Sequence, residues 1–108
     1  MFYIEKDKNN NYVFHLKSDD KHTIASSRAY YEISTIKEEI DYIAKNTNLD
    51  RIYERKTNKK GQFYFNILDP KLNAAAASQF YTSKAGLENG IKAAKKFAKI
   101  NEIKTVFN

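Results

Sequence analysis

Displaced against itself by 51 positions, the chain matches without a gap. Lys8 falls on Lys59, Phe14 on Phe65, Ala25 on Ala76, Ser27 on Ser78, Tyr30 on Tyr81, Ile40 on Ile91, Lys45 on Lys96 and Ile52 on Ile103. Conservative pairs agree: Tyr12 with Phe63, Leu16 with Ile67, Ile36 with Leu87, and Asn10 with Gly61. Such periodicity reads as two copies of one supersecondary unit, residues 1–51 and 52–108. A unit of that length buries too little surface to stand alone, whereas 108 residues suit one domain. The sequence therefore predicts a single domain whose two copies share one core.

Within each copy, local patterning predicts three strands, a helix and a closing strand. Phe2 to Glu5 and Tyr12 to Lys17 flank the polar run Asp7 to Asn11; Asp50 to Lys56 and Gln62 to Leu68 flank Thr57 to Gly61. Alternation puts Tyr12, Phe14 and Leu16 on one face and Val13, His15 and Lys17 on the other. Phe63, Phe65 and Ile67 likewise oppose Tyr64, Asn66 and Leu68, and the first set of each copy is expected to face the core. Third strands follow at Thr23 to Ser27 and Ala74 to Ser78. Alanine favours helix, but the aligned Thr23-Ile24-Ala25-Ser26 argues that Ala74 to Ala77 is extended.

The helices follow. In the second copy Ser83 is the expected N-cap, with Leu87, Ile91, Ala94 and Ala98 on one stripe. In the first, Thr35 and Glu38 have capping-box spacing and Ile36, Ile40 and Ile43 form the matching stripe. Gly86 and Gly90 within the second helix each cost about 1 kcal/mol relative to alanine, which suggests close approach of helix to sheet. Arg51 to Lys56 and Ile103 to Phe107 close the copies, and the first of these also opens the second copy, leaving no linker.

The segment Tyr81-Thr82-Ser83-Lys84-Ala85-Gly86-Leu87-Glu88-Asn89-Gly90-Ile91, preceded by Ala76-Ala77-Ser78 and by Gly61-Gln62-Phe63-Tyr64-Phe65, resembles the YegP-like family, also called DUF1508 or UPF0339. Tyr81, Ser83, Lys84, Ala85, Asn89, Gly90 and Ile91 carry the family motif. In the first copy Ile24 to Ser27 and Tyr30 fit, but Ile33 to Glu39 departs from it. The resemblance implies an α+β fold: two tandem β3-α-β repeats forming one antiparallel sheet, with exchanged terminal strands and both helices on one face. It also implies a monomer, an internal pseudo-dimer standing in for the homodimer of single-repeat members. It carries over no activity. The motif residues, with Tyr30, read as structural positions that a shared core would keep.

Chemistry is constrained by what the chain contains. There is no cysteine, hence no disulfide, thiolate or Cys-bound zinc. His15 and His22 lack partners at ligand or triad spacing, and no serine sits in a nucleophile elbow. No glycine loop cradles a phosphate, so neither a cofactor, a metal site nor a catalytic residue is expected. The short Met1 to Ile4 run, followed by Glu5 and Lys6, leaves no signal-peptide core and gives a cytoplasmic expectation without membrane association.

The net charge of +6 divides unequally: residues 1–51 carry eight Lys and Arg against nine Asp and Glu, residues 52–108 eleven against four. The leading reading is a non-catalytic binding or interaction module of unknown partner. The alternative is single-stranded nucleic acid, stacked on an open sheet face at His15 and Tyr64 and drawn by Lys92, Lys95, Lys96 and Lys99 on the second helix. The residues leave open whether that face stacks bases, docks a protein or only meets solvent.

Overall fold

The computed structural model describes residues 1–99 and 102–106. In chain order it comprises β1 (Phe2–Lys6), β2 (Tyr12–Asp19), β3 (His22–Ser27), α1 (Ile33–Asn46), a 3-10 turn (Asp50–Ile52), β4 (Tyr53–Thr57), β5 (Phe63–Leu68), β6 (Ala74–Ser78), α2 (Lys84–Phe97) and β7 (Ile103–Val106). The strands form one sheet in the order β4-β5-β6-β3-β2-β1-β7. The protein is thus α+β with a seven-stranded sheet and two helices.

The sheet is mixed, which corrects the all-antiparallel expectation. β7 runs parallel to β1, with Phe2 opposite Ile103 and Ile4 opposite Thr105. The reason is topological: α2 carries the chain over the sheet from β6 to the far edge, so β7 arrives pointing the same way as β1. The expected strand at Asp50 to Lys56 also begins later, because Asp50–Ile52 winds into a 3-10 turn before β4. Phe107, expected to end the last strand, lies outside the described residues.

Alternation works as the pattern requires. Phe2, Ile4, Phe14, Leu16, Phe65 and Ile67 are fully buried and share one core with Ile36, Ile40 and Ile43 of α1 and Leu87, Ile91, Ala94 and Ala98 at α2. Edge-to-face ring pairs, Phe2 with Phe14 and Tyr53 with Phe65, each at 5.8 Å, fill matching places in the two halves. The alanine run of β6 is extended because it is paired on both sides, with β5 and with β3; that double ladder outweighs helix propensity.

The helix starts differ. Ser83 caps α2, its Oγ accepting from the Gly86 amide at 3.0 Å. The capping box read at Thr35 and Glu38 is not used: α1 begins at Ile33 after Glu32, with no side-chain cap, and Thr35 is already helical. Ile33 packs against the core, so burial starts the helix a turn fragment early. Gly90 makes room for the Tyr81 ring rather than for the sheet, while a Cβ on Gly86 would first meet the capping Ser83 Oγ, at 3.2 Å. A Cβ on Gly90 would lie 2.2 Å from the Tyr81 hydroxyl, and one on Gly86 would lie 3.6 Å from the ring.

Three hairpin loops share one construction. Asp7, Asn58 and Asp69 each use Oδ1 to accept two backbone amides of the loop, from Asn9 and Asn11, Lys60 and Gln62, and Lys71 and Asn73. The fourth loop residue is left-handed in each: Asn10 (φ 63°), Gly61 (φ 78°) and Leu72 (φ 67°). Asparagine and glycine tolerate this conformation; leucine does not, and its side chain, 74% exposed, gains nothing in return.

Two stability predictions follow from this packing. Leu72→Asn relieves the left-handed strain without loss of burial, so urea unfolding should show a gain of about 0.5–1 kcal/mol at unchanged slope. Gly90→Ala should lose about 1–2 kcal/mol despite alanine's better helix propensity, because the new methyl collides with Tyr81. In a Tyr81→Ala background the same change should become neutral or stabilising, and an additive cycle would refute the contact.

Candidate functional site

The Tyr30 and Tyr81 backbones are held alike. Each makes an isolated antiparallel bridge to the start of a long strand, Tyr30 with Tyr12 and Tyr81 with Phe63, through amide–carbonyl bonds of 2.7 and 2.8 Å. Their surroundings differ. Tyr81 lies over Gly90, whereas the residue 51 positions before Gly90 is Glu39, and the Tyr30 hydroxyl donates to Glu39 Oε1 at 3.4 Å. The Tyr30 ring also stacks on Phe14 at 6.4 Å.

Around Glu39 the molecule builds a charged cleft of about 390 Å³ between α1 and the β5–β6 loop, lined by Arg28, Thr35, Glu38, Tyr42, Asp69 and Lys71 among others. Arg28, just past β3, holds its backbone on the Ala75 carbonyl at 3.2 Å. One of its guanidinium nitrogens donates to Glu39 Oε1 at 3.0 Å and to Asp69 Oδ2 at 3.5 Å. The same guanidinium stands 5.1 Å from the Tyr30 ring centre, in cation–π geometry. The Glu39 and Asp69 side chains are only 11% and 6% exposed.

Two shielded carboxylates therefore share one guanidinium, and Asp69 Oδ1 is already committed to the loop amides of Lys71 and Asn73. Burial, and then the Asp69 charge, hold the Glu39 carboxyl above the ordinary glutamate range. Burial and the Glu39 charge also push the Tyr30 phenol up to about 12, so it remains a neutral donor. The local excess is one negative charge, in a place where water screens it poorly. What this cleft can do is accept a cation.

The residues singled out from sequence lie elsewhere. His15 and Tyr64 are on the sheet face opposite the core, with Val13 and Leu68, as alternation requires. His15 is engaged at both ring nitrogens, Nδ1 with Ser26 Oγ and Nε2 with Glu5 Oε1, each at 2.7 Å. Tyr64 packs edge-on against Phe80, 5.6 Å between centres, and Phe80 is 59% exposed. Lys92, Lys96 and Lys99 are exposed on the helix side of the sheet; Lys95 instead reaches Asp50 at 3.4 Å and the Tyr53 ring at 5.7 Å. The fold thus separates His15 and Tyr64 from these lysines by the thickness of the sheet and does not bring them into one surface.

Of the motif residues, Lys84, Ala85 and Asn89 are exposed, Ser83 caps the helix, and Gly90 and Ile91 are buried. His22 pairs with Asp19 at 2.8 Å, and among the described residues no group of His, Asp and Glu is arranged to hold a metal ion. No helix among them is long and apolar enough to cross a membrane.

Arg28, Glu39 and Asp69 escaped the sequence reading. Two of them were visible as places where the halves disagree, Glu39 against Gly90 and Arg28 against Gln79. Asp69 belongs to the other half and meets them only through the β3–β6 pairing.

Known proteins agree with the fold. YegP of Escherichia coli K12, a UPF0339 protein, is 30% identical over 94 residues, covering 87% of this chain and 86% of its own. A UPF0339 protein from the ptx operon 5' region of Stutzerimonas stutzeri is 31% identical over 97 residues, covering 90% and 87%. The solution NMR structure of E. coli YegP, a protein of unknown function, superposes with a TM-score of 0.93 at 27% identity, over 99% of this chain and 92% of that one. A UPF0339 protein from Shewanella oneidensis gives 0.91 at 26% identity, over 98% and 90%. The family model described as a domain of unknown function, DUF1508, matches residues 7–54 and 58–104, and the chain belongs to that family.

Proposed function

We propose that the chain is a non-catalytic binding module, a monomeric internal pseudo-dimer in the cytoplasm, whose partner is another protein that places a cationic side chain, lysine or arginine, in the cleft at Glu39 and Asp69. The observation that carries it is the single guanidinium shared by two shielded carboxylates. A primary ammonium or guanidinium entering there neutralises the excess charge and forms charge-assisted hydrogen bonds at little ordering cost. Burial makes ionised Glu39 a net burden on the fold, the usual condition of a group retained for binding.

Support for the pseudo-dimer comes from registers that repeat at the same displacement. β1 pairs with β2 as β4 pairs with β5: Phe2↔Leu16 beside Tyr53↔Ile67, Ile4↔Phe14 beside Arg55↔Phe65. Ser27 Oγ accepts the Phe14 amide at 2.8 Å, and Ser78 Oγ the Phe65 amide at 2.9 Å. Where β3 meets β6, Ser26 faces Ala77, its counterpart, which is where an internal two-fold axis would pass. On this reading the repeats are joined edge to edge within one chain, and the pairing needs no second one. Sedimentation at micromolar concentration should give the mass of one chain; a stable dimer would count against the reading.

The cleft is testable with Nα-acetyl-lysine methylamide as probe in a ¹H–¹⁵N titration. Shifts should gather at Arg28, Glu39, Tyr42 and Asp69, and the Nε-acetylated, uncharged probe should give none. Glu39→Gln should weaken the lysine probe about tenfold or more, by loss of a charge-assisted bond. Binding should fade as pH drops through a value above the ordinary glutamate range. The stability effect has the opposite sign: a carboxyl raised by burial favours folding while protonated, and that contribution is lost as pH rises through its folded value. Glu39→Gln should therefore equal or exceed the parent in stability at pH 7, which separates lost binding from lost folding. Equal shifts with both probes would overturn the proposal.

A further inference from the structure

The two ends of the sheet are finished differently. At one end β1 is covered by β7, which runs parallel to it in the register Phe2↔Ile103, Tyr3↔Lys104, Ile4↔Thr105 and Glu5↔Val106, with the Phe2 amide donating to the Glu102 carbonyl at 3.1 Å. At the other end β4, the counterpart of β1 in pairing register, is an edge strand whose only neighbour among the described residues is β5. Where β7 closes over β1, Phe2 and Ile4 are fully buried. Beside β4 there is instead an open cleft of about 340 Å³, lined by Lys56, Thr57, Phe63, Lys84 and Leu87 together with Arg55 and Glu88. Backbone alternation turns the amides and carbonyls of Arg55 and Thr57 outward, as those of Phe2 and Ile4 turn toward β7.

The charge of this edge selects what can add to it. Arg55, at the position of Ile4, is already neutralised: Glu88 accepts from it at 2.7 and 2.8 Å, and Asp50 at 3.1 Å twice. Glu54 is held by the Asn66 amide at 3.0 Å. The acidic groups nearby are thus engaged, while no ion pair among the described residues involves Lys56 or Lys84. Lys59 and Lys60 follow in the next loop, and the first turn of α2 contains no acidic residue. Lysines on an edge strand repel basic strands and resist the desolvation that an apolar strand would impose, and so block aggregation. An acidic strand is the one chemistry they admit.

We propose that the outer edge of β4 is a β-augmentation site for an extended acidic segment of a partner protein, added parallel to β4 in the place that β7 takes beside β1, with its alternate side chains over the cleft at Phe63 and Leu87. Main-chain bonds to Arg55 and Thr57 supply affinity, and Lys56 and Lys84 supply charge selection. The parallel direction rests on the repeat reading given above; the site itself rests on the open edge and its charge.

The test uses the whole chain, ¹⁵N-labelled, and a capped ten-residue peptide of alternating valine and glutamate bearing a nitroxide at its N-terminus. The peptide should slow amide exchange of Arg55 and Thr57 and broaden resonances near Tyr53, the end at which a parallel strand begins. The same peptide with lysine for glutamate should not bind. Charge reversal at two exposed positions, Lys56→Glu with Lys84→Glu, should weaken binding at least tenfold while leaving the remaining spectrum in place. Absence of protection at Arg55 and Thr57, or equal binding of the lysine peptide, overturns the proposal. So does self-association of β4 with a second copy that excludes the peptide. Broadening at the Thr57 end instead overturns the parallel placement and with it the repeat argument for that edge. A monomer in sedimentation with no edge protection overturns this inference alone.

Discussion

The backbone ladder between β3 and β6 joins the first three strands to the next three, and most of the rest depends on it. Its pairs, Ala25↔Ser78, Ser26↔Ala77 and Ser27↔Ala76, are built from the smallest side chains that can still form a strand. Larger residues here would separate the sheet from the helices, since α2 packs across β2, β3 and β5. The ladder ends where Ser27 and Ser78 turn their hydroxyls to the Phe14 and Phe65 amides and donate to the carbonyls of Arg28 and Gln79. Those hydroxyls replace the ladder bonds lost as the chains diverge. Arg28 leaves the sheet at that point, so the seam also decides that its guanidinium faces the Asp69 loop.

A single exchange separates the two tyrosine anchors. Over glycine, the Tyr81 ring lies against the α2 backbone and its phenol is raised by burial alone. With Glu39 at the same place in α1, the phenol becomes a hydrogen-bond donor, and a packing site becomes an electrostatic one. A carboxylate so placed needs a counter-charge; Arg28 supplies it, but Asp69 claims the same guanidinium. The cleft follows from this competition: three groups hold one another apart, leaving room where a glycine and a tyrosine would close it.

Much of the fold was legible because it is written in short-range pattern. Alternation at Tyr12 to Leu16 and Phe63 to Ile67, the Ile36, Ile40 and Ile43 stripe, and Ser83 before a helix each report local geometry. Asn10 aligned with Gly61 even marked two left-handed residues. The misses share another cause. The parallel β7, the early start of α1 at Ile33 and the Arg28–Glu39–Asp69 cluster are all decided by which distant segment comes alongside. No local period encodes that. Gly90 shows the boundary well: a glycine in a helix demanded a close neighbour, but only the fold could name it as Tyr81.

The excess of cations in residues 52–108 also has a different meaning once the chain is folded. A basic half suggests a continuous electrostatic surface, yet several cations are held locally: Lys95 by Asp50 and the Tyr53 ring, Arg55 by Asp50 and Glu88, Lys96 over Phe97 and Lys104 over Tyr3. Opposite charges paired at 2.7–3.4 Å contribute little field beyond a Debye length of about 8 Å, whereas Lys96 and Lys104, set over neutral rings, keep their charge. What distinguishes the surface is therefore not its net charge but the few places where pairing is left incomplete. One is the carboxylate pair at α1, with one guanidinium between two acids. Another is the β4 edge, where Arg55 and Lys95 take Asp50 and Glu88, Asn66 takes Glu54, and no ion pair among the described residues involves Lys56 or Lys84. The two have opposite sign and lie apart, one beside the central β3–β6 seam and one at the β4 edge, so a partner engaging both would need a basic and an acidic element spaced by part of the sheet's width.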